Sequence, residues 1–411
     1  MTAPKLRFPT SDELEVSSWQ EISLSNLAQE IFGGGTPPKQ HTEYWSGNLP
    51  WISSSDLFLN DIHSIKLSKF ITKEAVKNSA TKKVPKGSVL VVSRVGVGKV
   101  ALAKEDLYTS QDFTNIITPS CDSTFLAYSL SKMMAKKVTS VQGSAIKGIP
   151  SEEIKEYHIR VPRKEEQQKI AAFFTTLDEK IKLVENKLSK TRLLFETLIE
   201  KVIDKELTFN DGVCTAVPWK RMALKEVCKK ISYGINAPAG EYNGCWKYIR
   251  ITDIDEKTHK FNQHSPVSAN IDHDQKLLTK YKVQTGDVLF ARTGASVGKS
   301  YHYDPIDGNL VFAGFLIRCS LDLNKCNSYF VYLQTLTKRY SNWVKENSMR
   351  SGQPGLNSEQ YGNFELVLPS LGEQDKIASF FKIFDKKISN LSFQLDVLKK
   401  QKQAFMREMF V

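Results

Sequence analysis

The amino-acid sequence predicts a mixed α/β fold of two similar globular domains joined by two long antiparallel coiled-coil helices. Two observations predict this architecture. From Ile170 to Val202, apolar residues recur at alternating steps of four and three, the heptad pattern of a helix that needs a partner helix. The same pattern returns 207 positions later, from Ile377 to Met409, behind a second globular stretch. Repetition over so long a period indicates a duplicated unit of domain plus helix rather than a solenoid.

The first helix is predicted between Lys164 and Glu206, because neither proline nor glycine interrupts that stretch. Its apolar seam is the surface that a partner helix would cover. The seam residues expected to pair are Ile170, Phe174, Leu177, Ile181, Val184, Leu188 and Phe195. Thr191 is the one polar residue in this spacing. A long core helix inside one large domain would show the same spacing, but it would not explain why the stretch occurs twice.

The second helix repeats both the seam and the residues that precede it. Glu166–Phe174 matches Glu373–Phe381, and Val161-Pro162 matches Leu368-Pro369. The seam residues expected to pair are Ile377, Phe381, Phe384, Ile388, Leu391, Leu395 and Leu398. If the second helix covers the first, its simplest path runs from the second domain back towards the first. The pair would then be antiparallel, with the two domains at opposite ends.

The duplication also predicts the domain boundaries. The predicted segments are an N-terminal arm at 1–16, a first domain at 17–163, the first helix at 164–206, a linker at 207–217, a second domain at 218–370 and the second helix at 371–411. The two domains share a framework but diverge between about residues 59 and 83 and between 255 and 282. Such divergence predicts that the two copies present different contact surfaces.

The composition is that of a folded protein with a basic surface. The 411-residue chain has a formal net charge of +12, and its first helix is neutral because nine basic residues balance nine acidic ones. Most of the excess charge therefore lies in the globular parts, which favours a polyanionic partner, with nucleic acid the leading candidate. No apolar stretch is long enough for a signal peptide or a membrane span, so we expect a cytoplasmic protein without a membrane partner.

A basic glycine turn occurs once in each domain. Gly294–Ser300 resembles a phosphate-binding loop, but three residues separate its glycines where such a loop has four, and the copy at Arg94–Val100 lacks the magnesium-binding hydroxyl. Both copies share an arginine, a glycine and a Gly-Lys pair, which suits contact with a nucleic-acid backbone. A hairpin turn with solvated basic ends is the alternative interpretation. The candidate DNA-binding residues are Arg94, Lys99, Arg292, Lys299, Lys82, Lys83, Lys147 and Arg350.

No catalytic constellation is visible in the sequence. The six cysteines show no Cys-x-x-Cys spacing, which indicates reduced packing cysteines rather than a metal site. The sequence has no glycine-rich turn for S-adenosylmethionine, no Asp/Asn-Pro-Pro-Tyr box and no supported Ser/His/Asp or Cys/His arrangement. We therefore expect a chain that is not an enzyme, with no catalytic residue, metal or cofactor of its own.

The duplicated motifs together resemble one protein family. The motifs are the loop Gly33–Pro38, the pair Gly143-Ser144, the segments Gly148–Ser151 and Glu166–Phe174 with Val161-Pro162, and their second copies at 351–357, 368–369 and 373–381. Occurring twice in this order, they make the chain similar to the DNA-specificity subunit of type I restriction-modification systems. The resemblance covers nearly the whole chain.

This resemblance implies two target-recognition domains, each reading one half of a bipartite and asymmetric sequence in double-stranded DNA. It implies that the helices form a spacer that docks two methyltransferase subunits, and that restriction subunits with translocase and nuclease activity join the complex. The subunit itself is non-catalytic in the family. S-adenosylmethionine would belong to the methyltransferase subunits, and ATP and magnesium to the restriction subunits.

Two other classes of protein stay open at this point. One is a stand-alone DNA methyltransferase or nuclease with a duplicated DNA-binding region, although the cofactor and metal motifs of such enzymes are missing. The other is a coiled-coil adaptor that binds only proteins. Sequence-specific retention of DNA by the assembled complex would exclude the adaptor.

Overall fold

The computed structural model describes residues 4–8, 18–140, 148–207, 218–271, 275–349 and 353–410. The chain divides into two compact units. The first unit is Met1–Asn186 together with Phe393–Val411, and the second is Lys187–Ser392. Each unit therefore contains one globular domain and a part of both long helices.

The described residues of the first unit form twelve strands and the helices that follow them. Its strands are β1 Gln20–Ser23, β2 Glu30–Gly33, β3 Leu49–Ile52, β4 Leu57–Phe58, β5 Asp61–Ile65, β6 Lys69–Ile71, β7 Lys83–Val84, β8 Val89–Val92, β9 Val100–Leu102, β10 Leu107–Thr109, β11 Phe113–Ile117 and β12 His158–Val161. Its helices are α1 Leu24–Leu27, α2 Lys73–Lys77, α3 Ser123–Ser140, α4 Ser151–Lys155 and the beginning of α5 Lys164–Ile203.

The second unit repeats this order in its described residues. Its strands are β13 Lys220–Ala223, β14 Cys228–Tyr233, β15 Ala239–Gly240, β16 Lys247–Ile249, β17 Ser268–Ala269, β18 Asp287–Ala291, β19 Ser300–His302, β20 Leu310–Phe312, β21 Leu316–Leu321 and β22 Glu365–Leu368. Its helices are α6 Gln275–Tyr281, α7 Ser328–Gln334, α8 Lys338–Ser348, α9 Ser358–Gly362 and most of α10 Leu371–Met409.

The sheets show the duplication more directly than the sequence does. A four-stranded sheet has the order β2-β11-β8-β9 in the first unit and β14-β21-β18-β19 in the second. In both sheets one central strand, β8 or β18, is buried throughout. A parallel pair, β3 with β10 and β16 with β20, also occurs in each unit. The mixed α/β fold class predicted from the sequence is confirmed.

Helix α5 continues without a break because its sequence contains no proline or glycine, and it stops at a defined cap. Lys205 adopts a positive φ of 61°, the left-handed conformation that ends many helices. The N–H of Glu206 then donates to the carbonyl of Lys201 at 2.8 Å, and the N–H of Lys205 donates to the carbonyl of Val202 at 3.1 Å. These two bonds satisfy carbonyls that the last helical turn would otherwise leave unpaired.

The two long helices are antiparallel within each unit. In the first unit, Lys399 of α10 pairs with Glu185 of α5, and Lys402 pairs with Asp178. Residue numbers therefore rise along α10 as they fall along α5. In the second unit, the ring of Phe195 contacts that of Phe381, while Arg192 donates to the hydroxyl of Ser392 at 3.3 Å. The antiparallel pairing expected from the seams is therefore confirmed.

The N-terminal arm packs on the first unit where it is described. Arg7 donates to both carboxylate oxygens of Glu166, at 3.0 and 2.6 Å, and both side chains are nearly buried. The ring of Phe8 lies 5.6 Å from that of Phe173, and the N–H of Leu6 donates to the carbonyl of Glu408. Of the predicted arm and linker, residues 1–3, 9–16 and 208–217 lie outside the described part of the chain.

Candidate nucleic-acid interface

The basic turn of the first domain joins β8 to β9, and we call residues 93–99 the first turn. Its backbone is fixed at its start, because the N–H of Ser93 donates to the carbonyl of Asp112 at 2.8 Å. The carbonyl of Ser93 accepts a hydrogen bond from the N–H of Ile149 at 2.6 Å. Gly96 and Gly98 have φ values of 81° and 107°, which favour glycine over residues that carry a side chain.

The basic turn of the second domain joins β18 to β19, and we call residues 292–299 the second turn. The N–H of Arg292 donates to the carbonyl of Phe315 at 3.0 Å, and its carbonyl accepts from the N–H of Leu356 at 2.9 Å. Both bonds repeat those of Ser93. The duplicated Gly-Ile and Gly-Leu pairs, Gly148-Ile149 and Gly355-Leu356, therefore hold corresponding turns in place.

The two turns differ in length by one residue, which changes the register of their arginines. The N–H of Val92 donates to the carbonyl of Lys99, whereas the equivalent bond in the second domain runs from Ala291 to Lys299. Arg292 thus occupies the backbone position of Ser93, and Arg94 lies one residue further along its turn. Sequence alone pairs the two arginines, but the backbone hydrogen bonds do not.

The two lysines that close the turns are directed at the protein. The ammonium of Lys99 donates to the carbonyl of Ser54 at 2.8 Å, and that of Lys299 to the carbonyl of Ile254 at 3.2 Å. Lys299 also lies 3.6 Å from the carboxylate of Glu256. Each lysine thus fixes its turn against a 3-10 helix of its own domain, Ser54–Asp56 in the first and Ile251–Asp253, which Ile254 follows, in the second. The contact of the two lysines with DNA stays a prediction.

The two arginines have unused donors. Within the described part of the chain, the side chains of Arg94 and Arg292 make no hydrogen bond and no ion pair, whereas every other described arginine has a partner. Arg94 is exposed. Arg292 is half-buried, and its guanidinium carbon lies 4.7 Å from the centre of the Tyr233 ring. An arginine without a carboxylate partner keeps its charge available for phosphate or bases.

The remaining candidate residues fall into two groups. Lys82 lies 5.8 Å from the ring centre of Phe32, and Lys83 pairs with Asp106 at 2.7 Å. The hydrogen bond that the Lys83 ammonium donates to the carboxylate of Asp106 raises the pKa of Lys83 and lowers the pKa of Asp106. Lys147 and Arg350 lie outside the described residues.

Most of the residues predicted to pair the two long helices are buried. Of the residues expected to pair, those that are buried are Ile170, Phe174, Leu177, Ile181, Val184, Leu188, Phe195, Ile377, Phe381, Ile388, Leu391 and Leu398. Phe384 and Leu395 are half-buried. Near the end of α5, Ile199 is buried while the seam residue Leu198 is half-buried, because an α-helix drifts by about 20° per heptad against a strict seven-residue repeat.

A duplicated glutamine joins each long helix to its own domain. Gln167 donates to the carbonyl of Pro162 at 2.8 Å and accepts from the N–H of Asp122 at 2.8 Å. Gln374 makes the same two bonds, to the carbonyl of Pro369 at 3.0 Å and from the N–H of Asn327 at 2.9 Å. Both side chains are buried. The repeated lead-in of the helices is therefore a structural joint.

A second joint was not predicted from the sequence. The hydroxyl of Tyr128 donates to Asp178 at 2.8 Å, and that of Tyr329 donates to Asp385 at 2.6 Å. The two aspartates are 207 positions apart, as the helix repeat requires, but the tyrosines come from different turns of their helices. The repeat could have identified the two aspartates as equivalent residues, whereas no spacing in the sequence identifies the two tyrosines as their partners.

Among the described residues, no group of histidine, cysteine and carboxylate side chains has the geometry to hold a metal ion. The described helices also include none with the length and apolar character needed to cross a lipid bilayer.

Comparison with known proteins identifies the duplicated unit. The family model of the type I restriction modification DNA specificity domain matches the chain twice, at residues 16–191 and 216–400. The chain belongs to the family of type I restriction-modification DNA-specificity subunits. Both matches include a globular domain and most of the long helix that follows it, so each copy of the family unit contains one turn and one glutamine joint.

Two curated relatives of this specificity family are similar in sequence. The MjaIX specificity subunit of Methanocaldococcus jannaschii is 28% identical over 414 aligned residues, which cover 94% of this chain and 91% of the relative. The EcoR124I/EcoR124II specificity subunit of Escherichia coli is 30% identical over 171 residues, which cover 38% of this chain and 41% of the relative.

Solved structures share the fold. The type I restriction-modification S subunit from M. genitalium superposes with a TM-score of 0.66 at 16% identity, covering 100% of this chain and 99% of the other. A chain from a structure describing complex assembly and conformational transition of the type I R-M system superposes with a TM-score of 0.54 at 15% identity, covering 96% and 97%. At these identities the likeness concerns the fold.

Proposed function

We propose that this specificity subunit selects the DNA sequence on which a type I restriction-modification complex acts, with one domain reading each half of a bipartite, asymmetric target. The observation that carries the proposal is the pair of turns. Their backbones are held by the same hydrogen bonds, while their side chains differ, Ser93 in one domain where Arg292 stands in the other. One scaffold that presents two sets of side chains suits two different half-sites.

The proposed partners are supported by the family and by the surface of the helices. Leu183 and Leu193 on α5, and Ile383 and Phe393 on α10, are large apolar side chains that face away from the seam and are exposed. Exposed side chains of this size are available for contact with another protein. We propose that two methyltransferase subunits dock on these helices, and that restriction subunits join through them. S-adenosylmethionine, ATP and magnesium would act in those subunits, and this chain would contribute no catalytic group.

The turns are proposed to contribute the electrostatic part of DNA binding. Each phosphate contact that is lost should lower the slope of log K against log salt by about one unit. Neutralising Arg94, Lys99, Arg292 and Lys299 together should reduce both affinity and salt dependence. Since the two lysines are hydrogen-bonded to main-chain carbonyls, we expect the two arginines to account for most of the change.

A methyl-transfer assay with radiolabelled S-adenosylmethionine tests the proposal against its rivals. Double-stranded DNA is incubated with the full chain alone, with the methyltransferase subunit alone, and with both. We expect incorporation only with both proteins, and only into DNA that carries the target. Transfer by the chain alone would identify a stand-alone enzyme. If the methyltransferase subunit transfers methyl groups equally well with and without this chain, and at the same sites, the result would favour the adaptor that binds only proteins.

A further inference from the structure

We infer that Arg292, stacked on Tyr233, reads a guanine in the half-site of the second domain, so that this half-site contains a G·C pair at one fixed position. The inference rests on the proposed function, because it assumes that the second domain meets DNA. It goes further by naming the residue that discriminates, the residue that orients it and the base that is chosen.

The backbone of Arg292 is held rigidly. Its N–H donates to the carbonyl of Phe315 and its carbonyl accepts from Leu356, while the next residue, Thr293, pairs with Gly355 in an isolated bridge. A side chain can discriminate between bases only if the backbone that carries it is fixed to within a fraction of an ångström. The strand β18 that leads into Arg292 is buried throughout, which fixes the turn from the other side.

The guanidinium is oriented by an aromatic ring rather than by a carboxylate. It lies over the face of Tyr233, and the Nε of Arg292 is buried with no hydrogen-bond partner among the described residues. Tyr233 itself is fixed at two points. Its backbone pairs with Ile317 at the end of β14, and its hydroxyl accepts from the N–H of Ser358 at 3.1 Å. Stacking of this kind holds the plane of an arginine and leaves its terminal N–H groups unused.

The surroundings of Arg292 match a surface that meets bases. Tyr233, under the guanidinium, is 39% exposed, and Phe315, whose carbonyl holds the backbone of Arg292, is 58% exposed. Exposed rings beside a cation that has no ion-pair partner among the described residues are typical of a surface that meets a ligand. Guanine offers two acceptors, O6 and N7, at the spacing of the two arms of an arginine, and this is the commonest specific contact in the major groove.

The first domain has a different chemistry at the equivalent backbone positions. Gly33 stands where the second domain has Tyr233, Ser93 stands where it has Arg292, and Asp112 stands where it has Phe315. Arg94, an exposed arginine of the first domain, is displaced by one residue, and it makes no cation–ring contact within the described residues. The guanine reading is therefore assigned to the second domain alone.

The competing role for Arg292 is a phosphate contact, which carries no sequence information. Lysine separates the two roles. It keeps the positive charge and can replace arginine at a phosphate, but it lacks the planar fork and does not stack in the same way. The variants to compare are therefore Arg292→Lys, Arg292→Ala and Tyr233→Leu. A matched control is Arg221→Ala, which removes an exposed arginine of the same unit that is paired with Glu365.

The experiment maps methylated sites genome-wide in cells that express the full chain with its methyltransferase subunit. We expect the wild-type motif to carry a guanine in one half-site. Arg292→Ala should lower the preference for guanine at that single position by about 5- to 150-fold. Arg292→Lys, which loses the planar fork and the stacking on Tyr233, should lower it at the same position by a smaller factor. Tyr233→Leu should weaken the same position, and Arg221→Ala should leave the motif unchanged. The other half-site should stay unaltered in every variant, which also reports that the variants fold.

Three results would overturn the inference. The first is a wild-type motif with no G·C pair in the half-site of the second domain. The second is an unchanged motif with Arg292→Lys combined with a uniform loss of methylation with Arg292→Ala, because that pattern marks a phosphate contact. The third is an unchanged motif in both Arg292 variants. If Arg292→Ala does not fold, the motif of Arg292→Lys decides between the two roles. If the wild-type chain directs methylation to no motif at all, the proposed function itself fails.

Discussion

The ring of Phe195, near the end of α5, meets the ring of Phe381, near the start of α10, edge-on at 5.5 Å between ring centres. Both side chains are buried, and both belong to the seams that the sequence predicts. Edge-to-face aromatic pairs add about 0.5–1.5 kcal/mol to the free energy of burial. This contact therefore contributes directly to the stability of the helix pair.

Replacing Phe195 by alanine should lower the free energy of unfolding by about 3–5 kcal/mol, because a large aromatic side chain leaves a cavity between the helices. The matched control is Leu193→Ala. Leu193 lies on the same helix and is 64% exposed, so its replacement should change stability by less than about 0.5 kcal/mol. Urea unfolding curves of the two variants make the comparison. Equal losses of stability would show that the seam does not stabilise the pair.

Replacing Gln374 by leucine should destabilise the joint between the second domain and α10. The variant leaves the N–H of Asn327 and the carbonyl of Pro369 without partners in a buried site, and each such group costs about 1–3 kcal/mol. Gln401→Leu, on the exposed face of the same helix, is the control. The midpoints of thermal unfolding of the two variants are compared, and that of Gln374→Leu should be the lower one. A Gln374→Leu variant as stable as the control would contradict the structural role of the joint.

Replacing Arg7 by alanine should cost about 3–5 kcal/mol, because it leaves the carboxylate of Glu166 buried without its partner. The double variant Arg7→Met with Glu166→Met should recover much of that loss, since it removes both charges. Lys5→Ala serves as the control, because the Lys5 side chain is 82% exposed and ion pairs of exposed lysines contribute at most about 1 kcal/mol. A double variant no more stable than Arg7→Ala would show that the ion pair is not what holds the arm.

The helices could be predicted from the sequence because their signal is local. A heptad seam and the absence of helix-breaking residues are both visible within one stretch of the chain, and the antiparallel direction follows from the order of domains and helices. The joint made by Gln167 could also be anticipated, since the repeat marks Gln374 as its counterpart. Its partners at the domain, however, are distant in the chain and carry no spacing that reveals them.

The candidate interface was harder to predict because register is a matter of backbone hydrogen bonding. The sequence indicates the two turns, their glycines and their lysines. It pairs Arg94 with Arg292, since residue type is all that it can compare. The difference of one residue between the turns, and the Tyr233 ring under only one of the arginines, depend on strand pairing across distant segments.

The stability of the second unit should fall in mild acid through His302. Burial lowers the pKa of His302 to about 4 from an ordinary value of 6.5, and the nearby cations Lys260 and Lys382 act in the same direction. The unfolded chain therefore takes up a proton before the folded one does. The stability that neutral His302 contributes is complete above about pH 6.5 and is lost as the pH falls towards 4, by on the order of 3 kcal/mol.

Unfolding free energies measured between pH 7 and pH 4 test the role of His302. The variant His302→Asn, which does not titrate in this range, should flatten the dependence. His264→Asn, which replaces an exposed histidine in the same unit, should leave the wild-type slope in place. An unchanged slope in His302→Asn would assign the acid sensitivity to other groups.

The bipartite reading of DNA is tested most directly by mapping methylated sites in cells that express the methyltransferase subunit with the wild-type chain, with no chain, or with a chain whose residues 255–282 come from another specificity subunit. That segment contains β17 and α6, and its sequence diverges from the corresponding stretch of the first domain. We predict an asymmetric motif with a non-specific gap that requires the chain, and we predict that the exchange changes only one half of it. A continuous motif, or an exchange that changes both halves together, would contradict the proposed function.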